Sequence, residues 1–258
     1  MRTIDEIIQQ IEDEKGKIEF LPTGFPKLDE MLDGGFMRKE LVILGGFTGL
    51  GKSYVAGQLL WNIATAGYRT AYLSLEISDT MVVSRLVGSL SNIKPTRIIK
   101  GFLTAQEKEL ADNAKAEVIA YSKLIDIYDD VYDLDKIEKI IREGKYHFVV
   151  VDFIQNVISR GDEYERMSAV SLRLQQMAKE SSSCVLALSQ LSNSAAKTKD
   201  VEYKGSGSIA MVADLGFFLA RDENGMVKLY LRKNRRGFSG CEFNLQFDMP
   251  GGRIHEVE

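Results

Sequence analysis

The sequence has few of the residues that build disulfide frameworks and zinc sites. Its 258 residues include two cysteines, Cys184 and Cys241, and two histidines, and the cysteines do not have the spacing of a metal-binding motif. We therefore expect a reducing compartment and no zinc site. No apolar run approaches the length that spans a bilayer, and no signal-like segment opens the chain. A cytoplasmic protein with no membrane partner is expected.

An excess of basic residues is also missing. The formal net charge is −4 at pH 7, so any contact with nucleic acid must come from local basic loops rather than from a globally basic surface. The apolar and charged contents are ordinary, and the length is sufficient for a full hydrophobic core.

A glycine-rich turn between a strand pattern and a helix pattern is the strongest motif. An apolar run at 41–44 precedes it and a helix-like segment at 54–61 follows it. The turn matches G-x-x-x-x-G-K-S, a P-loop, whose backbone N–H groups and lysine bind phosphates while the serine holds Mg²⁺. A turn that binds no nucleotide is the alternative, but it does not explain the flanking strand and helix. The predicted nucleotide-binding residues are Gly46, Thr48, Gly49, Gly51, Lys52 and Ser53.

Polar side chains follow three other predicted strands, which cover 70–75, 148–152 and 184–188. Asp152 ends an apolar strand and matches a Walker B motif, which delivers a carboxylate beside Mg²⁺. Glu76 and Gln190 follow the other two strands. Because ligands bind at the carboxyl ends of parallel strands, we expect these groups at one rim with Lys52, where Glu76 could orient an attacking water. An acid near a helix N-terminus is the alternative reading of Glu76.

The order of strand and helix patterns predicts one α/β domain with a mainly parallel sheet and an antiparallel C-terminal extension. Capping boxes begin two of the predicted helices, at Thr3 and Thr104. Asn224 and Gly225 predict a two-residue hairpin turn. The predicted helices cover 3–14, 79–90, 104–121, 134–143 and 163–182; the remaining strands cover 124–128, 215–220, 226–231 and 243–247; a long loop covers 192–208.

The first helix carries an apolar stripe and is separated from the rest of the chain by a charged, glycine-containing segment at 12–17. The stripe consists of Ile4, Ile7, Ile8 and Ile11. We divide the chain into a linker helix and linker at 1–19 and an ATPase domain at 20–258. Packing of the helix on another subunit and docking on its own domain remain equally open.

Several motifs together resemble the ATPase domain of DnaB-type replicative DNA helicases, within the RecA-like P-loop ATPases. The resemblance covers almost the whole chain. Its pieces lie at 22–29, 74–76, 151–155, 187–191, 205–209, 213–214 and 233–237.

This resemblance implies a ring-shaped hexamer with ATP and Mg²⁺ bound between neighbouring subunits. Lys52, Ser53 and Asp152 would then hold the phosphates and the metal, with Ser53 and Asp152 as metal ligands. Glu76 would polarise the attacking water, and Gln190 would sense the γ-phosphate. Lys233 and Arg235 would reach into the neighbour's site, with Arg235 as the arginine finger. The basic run at 232–237 could alternatively be a solvated edge.

The resemblance also implies that single-stranded DNA is held in the central channel and that a primase or loader is a partner. The DNA-binding residues would be Lys204, Gly205, Ser206 and Gly207, whose backbone N–H groups and lysine charge contact phosphates without reading bases. Gly205 replaces an acidic residue that is common in the family, and Lys204 replaces an arginine.

The function expected from the sequence is an ATP-dependent DNA helicase motor that translocates on single-stranded DNA and unwinds duplex. The sequence has no counterpart of the family's usual N-terminal domain, so we expect a short form of the helicase or the ATPase portion of a longer protein. The alternative is a RecA-like ATPase that acts as a recombination mediator, regulator or loader without unwinding.

Overall fold

A computed structural model describes residues 2–16, 19–159, 163–190 and 211–257. Eight α-helices are found in these segments. They are α1 (Ile4–Glu14), α2 (Pro26–Met31), α3 (Lys52–Thr65), α4 (Asp79–Ser91), α5 (Pro95–Lys100), α6 (Ala105–Ala120), α7 (Leu134–Glu143) and α8 (Glu163–Ser181). Within the same segments, no helix is long and apolar enough to cross a membrane.

Eleven strands form two sheets in the described segments. Their bounds are β1 (Phe20–Leu21), β2 (Phe36–Met37), β3 (Leu41–Gly46), β4 (Thr70–Ser74), β5 (Ile125–Tyr128), β6 (Phe148–Asp152), β7 (Cys184–Gln190), β8 (Leu215–Arg221), β9 (Val227–Asn234), β10 (Cys241–Asp248) and β11 (Arg253–Val257). β1 and β2 form a small antiparallel ribbon. The other nine strands form one sheet in the order β11-β10-β9-β8-β3-β7-β6-β4-β5.

The large sheet has a parallel part and an antiparallel part. The strands from β8 to β5 in that order are parallel, whereas β9, β10 and β11 continue the sheet in antiparallel pairs. The predicted fold class, an α/β sheet with an antiparallel C-terminal extension, is confirmed.

Apolar residues cover both faces of the parallel strands. Val42 and Leu44 of β3 pack in a core that includes the apolar side of α3, while Leu41 and Ile43 point to the opposite core, which includes α7 and α8. This alternation follows from the period of two along a strand. Because both faces are buried, these strands have continuous apolar sequences. That sequence signature identified them.

The hairpin predicted across Asn224 and Gly225 is confirmed by the antiparallel pairing of β8 and β9, but its predicted two-residue length is wrong. β8 and β9 are joined through 222–226, and the Asp222 carboxylate accepts hydrogen bonds from the backbone N–H groups of Asn224 and Met226, both at 2.9 Å. Together with the backbone hydrogen bonds from Asp222 to Met226 and from Gly225 to Asp222, this side chain stabilises the longer loop. β9 also continues to Asn234, which places Lys233 inside a strand.

Hydrogen bonds to the Asp29 carboxylate hold the motif at 22–29 in a fixed conformation. The carboxylate of Asp29 accepts hydrogen bonds from the Thr23 backbone N–H at 2.8 Å, the Thr23 hydroxyl at 2.6 Å and the Gly24 N–H at 3.1 Å. The amide of Asn62 on α3 donates to the Thr23 carbonyl at 2.7 Å. The motif therefore fixes the segment between the two strands of the small ribbon against the helix that begins at the P-loop.

We expect Asp29→Ala to lower the free energy of unfolding by about 2–3 kcal/mol, because charge-assisted hydrogen bonds are lost and the buried Thr23 hydroxyl is left without its acceptor. Urea unfolding followed by circular dichroism measures the change. Glu30→Ala, on the exposed side of the same helix, is the matched control and should change stability by less than about 0.5 kcal/mol. Equal effects of the two substitutions would contradict this role of Asp29.

Candidate nucleotide-binding site

Four parallel strands end at one edge of the sheet and bring the predicted site residues together. Gly46, the last residue of β3, lies opposite Gln190 of β7, and Ser74 of β4 lies opposite Asp152 of β6. A cleft of about 230 Å³ opens at this edge. It is lined by Thr48, Gly49, Gly51, Lys52, Ser53, Tyr54, Glu76, Arg85, Asp152, Phe153 and Gln190.

Gly51 connects the turn to α3 in a conformation that a side chain would not tolerate. Its φ is +90°, in the left-handed region, and a Cβ at this position would lie 2.6 Å from the Phe247 ring of β10. Glycine is therefore required both for the backbone angle and for the close approach of the C-terminal strands. The first N–H groups of α3 have no partner within the helix and point toward the cleft, as in other anion-binding helix N-termini.

Lys52 places a buried positive charge at the base of this turn. Its side-chain Nζ donates hydrogen bonds to the carbonyl oxygens of Gly46 at 2.8 Å and Phe47 at 2.9 Å. Burial lowers the pKa of Lys52, while the charges of Asp152 and Glu76 oppose that shift. The two carboxylates thus stabilise the ammonium form, which is the form that attracts phosphate.

Asp152 is 2% exposed at the end of β6. Its Oδ2 accepts a hydrogen bond of 2.6 Å from the hydroxyl of Tyr72 on β4. Burial raises the pKa of Tyr72 well above its ordinary value, and the Asp152 charge adds to that effect. The phenol therefore remains a donor to the carboxylate.

Gln190 and Glu76 occupy the two sides of the same rim. Gln155, just after β6, donates through Nε2 to the Gln190 carbonyl and to the Ser189 hydroxyl, both at 3.0 Å, and accepts from the Gln190 N–H at 3.3 Å. The backbone at Gln190 is thereby fixed to the end of β6. Glu76 follows β4 with an exposed side chain, so its carboxylate is free to approach a water in the cleft.

Lys233 and Arg235 lie at the opposite edge of the sheet, away from this cleft. Lys233 donates to the Met211 carbonyl at 2.8 Å, and Arg235 forms an ion pair of 2.8 Å with Asp214. The other oxygen of Asp214 accepts from the N–H of Leu41, the first residue of β3. Since Gly46 ends β3, the length of that strand, about 17 Å, separates the Asp214 contact from the start of the P-loop.

The four predicted DNA-binding residues lie outside the described residues. They are Lys204, Gly205, Ser206 and Gly207, and the predicted loop at 192–208 lies outside as well.

The family model of the DnaB-like helicase C terminal domain matches residues 21–255. This chain belongs to that family.

Curated relatives of this DnaB-like domain are replicative helicases. The chain is 30% identical over 240 residues to the replicative DNA helicase DnaB of Treponema pallidum, which covers 88% of the chain and 55% of the relative. It is 28% identical over 258 residues to the replicative DNA helicase DnaB of Geobacillus stearothermophilus, covering 92% and 56%. The chain thus spans about half the length of these relatives.

Solved structures support the RecA-like fold of the DnaB-like domain. A DnaB-like replicative helicase described with its interactions with primase superposes with a TM-score of 0.85 at 24% identity, over 100% of this chain and 68% of that one. A KaiC-like protein from Pyrococcus horikoshii gives a TM-score of 0.68 at 17% identity, over 93% and 100%. At these identities the likeness shows the fold alone.

The sequence reasoning missed Arg85, which lines the cleft, and Tyr72, whose hydroxyl bonds to Asp152 at the cleft. Arg85 of α4 lies with its guanidinium 4.8 Å from the centre of the Tyr54 ring, and its Nε is buried without a hydrogen-bond partner among the described residues. Tyr72 lies in the middle of an apolar strand. A tyrosine in such a strand is a usable signal, because its buried hydroxyl needs a partner. No comparable pattern in the sequence of α4 indicates that Arg85 lies at the cleft.

The donor atoms of the cleft suit Mg²⁺. Ser53 offers a hydroxyl and Asp152 a carboxylate, and hard oxygen donors are the ligands that Mg²⁺ prefers. The described residues contain no cluster of three or more histidine, cysteine or acidic side chains. A magnesium site that is completed by substrate phosphates and water needs only one or two protein ligands, so the two groups fit.

We expect Lys52→Ala to weaken binding of a fluorescent ATP analogue by at least about tenfold, because the buried charge nearest the turn is removed. Equilibrium fluorescence anisotropy in the presence of Mg²⁺ measures the affinity. Lys139→Ala, at an exposed position of α7, makes the same change in charge away from the cleft and should leave the affinity unaltered. Equal affinities for the two variants would refute phosphate binding by Lys52.

Proposed function

We propose that this chain is an ATP-driven DNA helicase motor. It translocates on single-stranded DNA and unwinds duplex DNA, and it hydrolyses ATP at the interfaces between identical subunits, as in a hexameric ring. Residues 20–258 form the ATPase domain, and residues 1–19 form a linker helix and linker. Family membership and the cleft described above support this proposal.

Within the cleft, each predicted residue has a defined task. Lys52 and the N-terminus of α3 bind the phosphates, while Glu76 orients the attacking water and accepts its proton. Ser53 and Asp152 would hold Mg²⁺, which neutralises the charge that develops on the phosphoryl oxygens. Gln190 would sense the γ-phosphate, and its backbone is bonded through Gln155 to the segment that follows β6.

The position of Lys233 and Arg235 is the observation that carries the proposal. Both residues lie at the edge opposite the cleft of their own chain. They can contribute to phosphoryl transfer only at the cleft of a second copy, in a head-to-tail arrangement. An arginine supplied in this way makes hydrolysis dependent on assembly.

The N-terminal helix favours the same assembly. Four isoleucines on α1 are exposed, with 75%, 40%, 53% and 61% of their surface accessible at Ile4, Ile7, Ile8 and Ile11. The helix is capped at Thr3 by both arms of a capping box, but a helix of 11 residues is only marginally stable without packing. We assign its apolar stripe to the adjacent subunit of the ring, where burial would supply the missing tertiary stabilisation.

The proposed DNA contact is the segment with Lys204, Gly205, Ser206 and Gly207. Single-stranded DNA is the coupled ligand, and a primase or loader is a further partner, by analogy with the DnaB-like helicase structure described with its primase interactions. Base-independent phosphate contacts suit a motor, which must move along any sequence.

ATP hydrolysis measured over a range of protein concentrations, with and without single-stranded DNA at fixed salt, tests the proposal. Turnover per chain should rise with concentration and be stimulated by DNA. Ile8→Glu places a charge in the apolar stripe, so a higher protein concentration should be needed to reach half of the maximal turnover. Gln9→Glu adds the same charge outside the stripe and should leave that concentration unchanged.

Turnover that is indifferent to both concentration and DNA would refute the helicase motor. It would favour the second candidate, a RecA-like ATPase that serves as a regulator, mediator or loader without unwinding. A fork-unwinding assay then separates a motor from a DNA-stimulated ATPase that does not unwind.

Mixing two inactive variants tests whether Arg235 acts in trans. Arg235→Ala alone should lose about a thousandfold in turnover, and Lys52→Ala alone should also be inactive. In an equimolar mixture that assembles head to tail, about one quarter of the interfaces pair an intact cleft with an intact Arg235. Turnover should return to roughly that fraction of the wild-type rate.

A mixture of Lys52→Ala with Glu76→Gln is the matched control. Both lesions lie in the same cleft, so no interface regains a complete set of groups and turnover should stay low. Failure of the first mixture to recover, although gel filtration shows mixed assemblies, would contradict the role of Arg235 in trans.

A further inference from the structure

Tyr72 is a buried polar side chain that lies against both expected metal ligands. Its side chain is 2% exposed, and its hydroxyl donates to Oδ2 of Asp152 at 2.6 Å. Ser53, at the start of α3, lines one small cavity together with Tyr72. The phenol therefore lies between the end of β6 and the start of the P-loop helix.

The register of the strands brings Tyr72 to this position. β4 and β6 are parallel neighbours, with Tyr72 opposite Val150 and Ser74 opposite Asp152. Residues two apart on a strand share a face, so Tyr72, Val150 and Asp152 point to the same side of the sheet. That side is covered by α3.

A purely structural reading of Tyr72 is that its ring fills the core and its hydroxyl takes the nearest acceptor. Tyr146 shows what such a residue looks like in this chain. It is 1% exposed, and its hydroxyl bonds to Asp126 at 2.7 Å and Tyr128 at 2.8 Å, outside the nucleotide cleft. Tyr72 differs in one respect. Its hydroxyl bonds to Asp152 and its side chain lines a cavity with Ser53, and these are the two residues expected to hold Mg²⁺.

We propose that Tyr72 is a positioning residue of the magnesium site. By donating to Oδ2, it fixes the rotation of the Asp152 carboxylate and leaves Oδ1, which would hold Mg²⁺ together with the Ser53 hydroxyl. The hydrogen bond orients a ligand, as outer-shell donors do at other metal sites. This inference rests on the proposed nucleotide function, because it assigns a role within that same site.

Binding of mant-ADP, followed by fluorescence during a Mg²⁺ titration, tests the role without requiring turnover. Tyr72→Phe keeps the ring and removes only the hydroxyl. The Mg²⁺ concentration at half-saturation should rise about tenfold, while the affinity for mant-ADP in EDTA stays at the wild-type value. Tyr146→Phe is the matched control and should change neither quantity.

A second variant pair separates positioning from a general loss of structure. In an Asp152→Asn background, Tyr72→Phe should produce no further shift in the Mg²⁺ titration, because the carboxylate through which it acts is gone. Additive shifts would overturn the proposal. An equal loss of affinity with Mg²⁺ and in EDTA, accompanied by a lower melting temperature, would also overturn it and assign Tyr72 to the core alone.

The same titration separates this inference from the function on which it rests. If wild-type protein binds mant-ADP with no dependence on Mg²⁺, the proposed metal-dependent nucleotide site fails, and Tyr72 fails with it. If the wild type depends on Mg²⁺ and Tyr72→Phe has an unchanged half-saturation, only the role of Tyr72 is refuted.

Discussion

A buried ammonium group requires negative or dipolar neighbours on every side, and Lys52 imposes this requirement on the edge of the sheet. The carbonyl oxygens of Gly46 and Phe47 accept its hydrogen bonds, and the carboxylates of Asp152 and Glu76 counter the cost of its burial. The two carbonyls lie at the end of β3, Asp152 lies at the end of β6, and Glu76 follows β4. The parallel register of β3, β6 and β4 is therefore what places these groups within reach of one charge.

The length of the parallel strands also separates two groups of polar side chains. The groups proposed to bind phosphate lie at the carboxyl ends of these strands, and the cations Lys233 and Arg235 lie at the opposite edge. This separation results from the antiparallel return of β9 alongside β8, which brings Asn234 opposite Leu215 at the start of that strand. Under the proposed function, the two groups of a phosphoryl-transfer site lie on one chain but at opposite edges of its sheet.

The sequence predicted the parts of the fold that local physics determines. The P-loop, the apolar strands that end in Asp152 and Gln190, and the capping boxes at Thr3 and Thr104 were readable because each depends on a few adjacent residues. The elements that the sequence did not predict either depend on contacts between distant residues or are too short to give a pattern. The turn after β8 is set by the Asp222 side chain, α5 is six residues long, and β11 gains its place from pairing with β10.

The candidate site was predictable to the same extent. Strand ends could be placed at a common rim by the rule for parallel sheets, but the bond between Tyr72 and Asp152 depends on a register between distant segments. The ion pair between Arg235 and Asp214 has the same origin. Pairwise contacts between strands are not encoded in the pattern of either strand alone.

Asp214 connects the start of β3 to Arg235 through several hydrogen bonds. Its carboxylate holds Arg235 with one oxygen and the first residue of β3 with the other, and its backbone bonds to the same two residues. One short, fully buried strand, β3, therefore runs from the contact with Arg235 to the P-loop. In the proposed assembly, where Arg235 acts at the cleft of another copy, a displacement of β3 at one cleft would be passed to the arginine that serves the next.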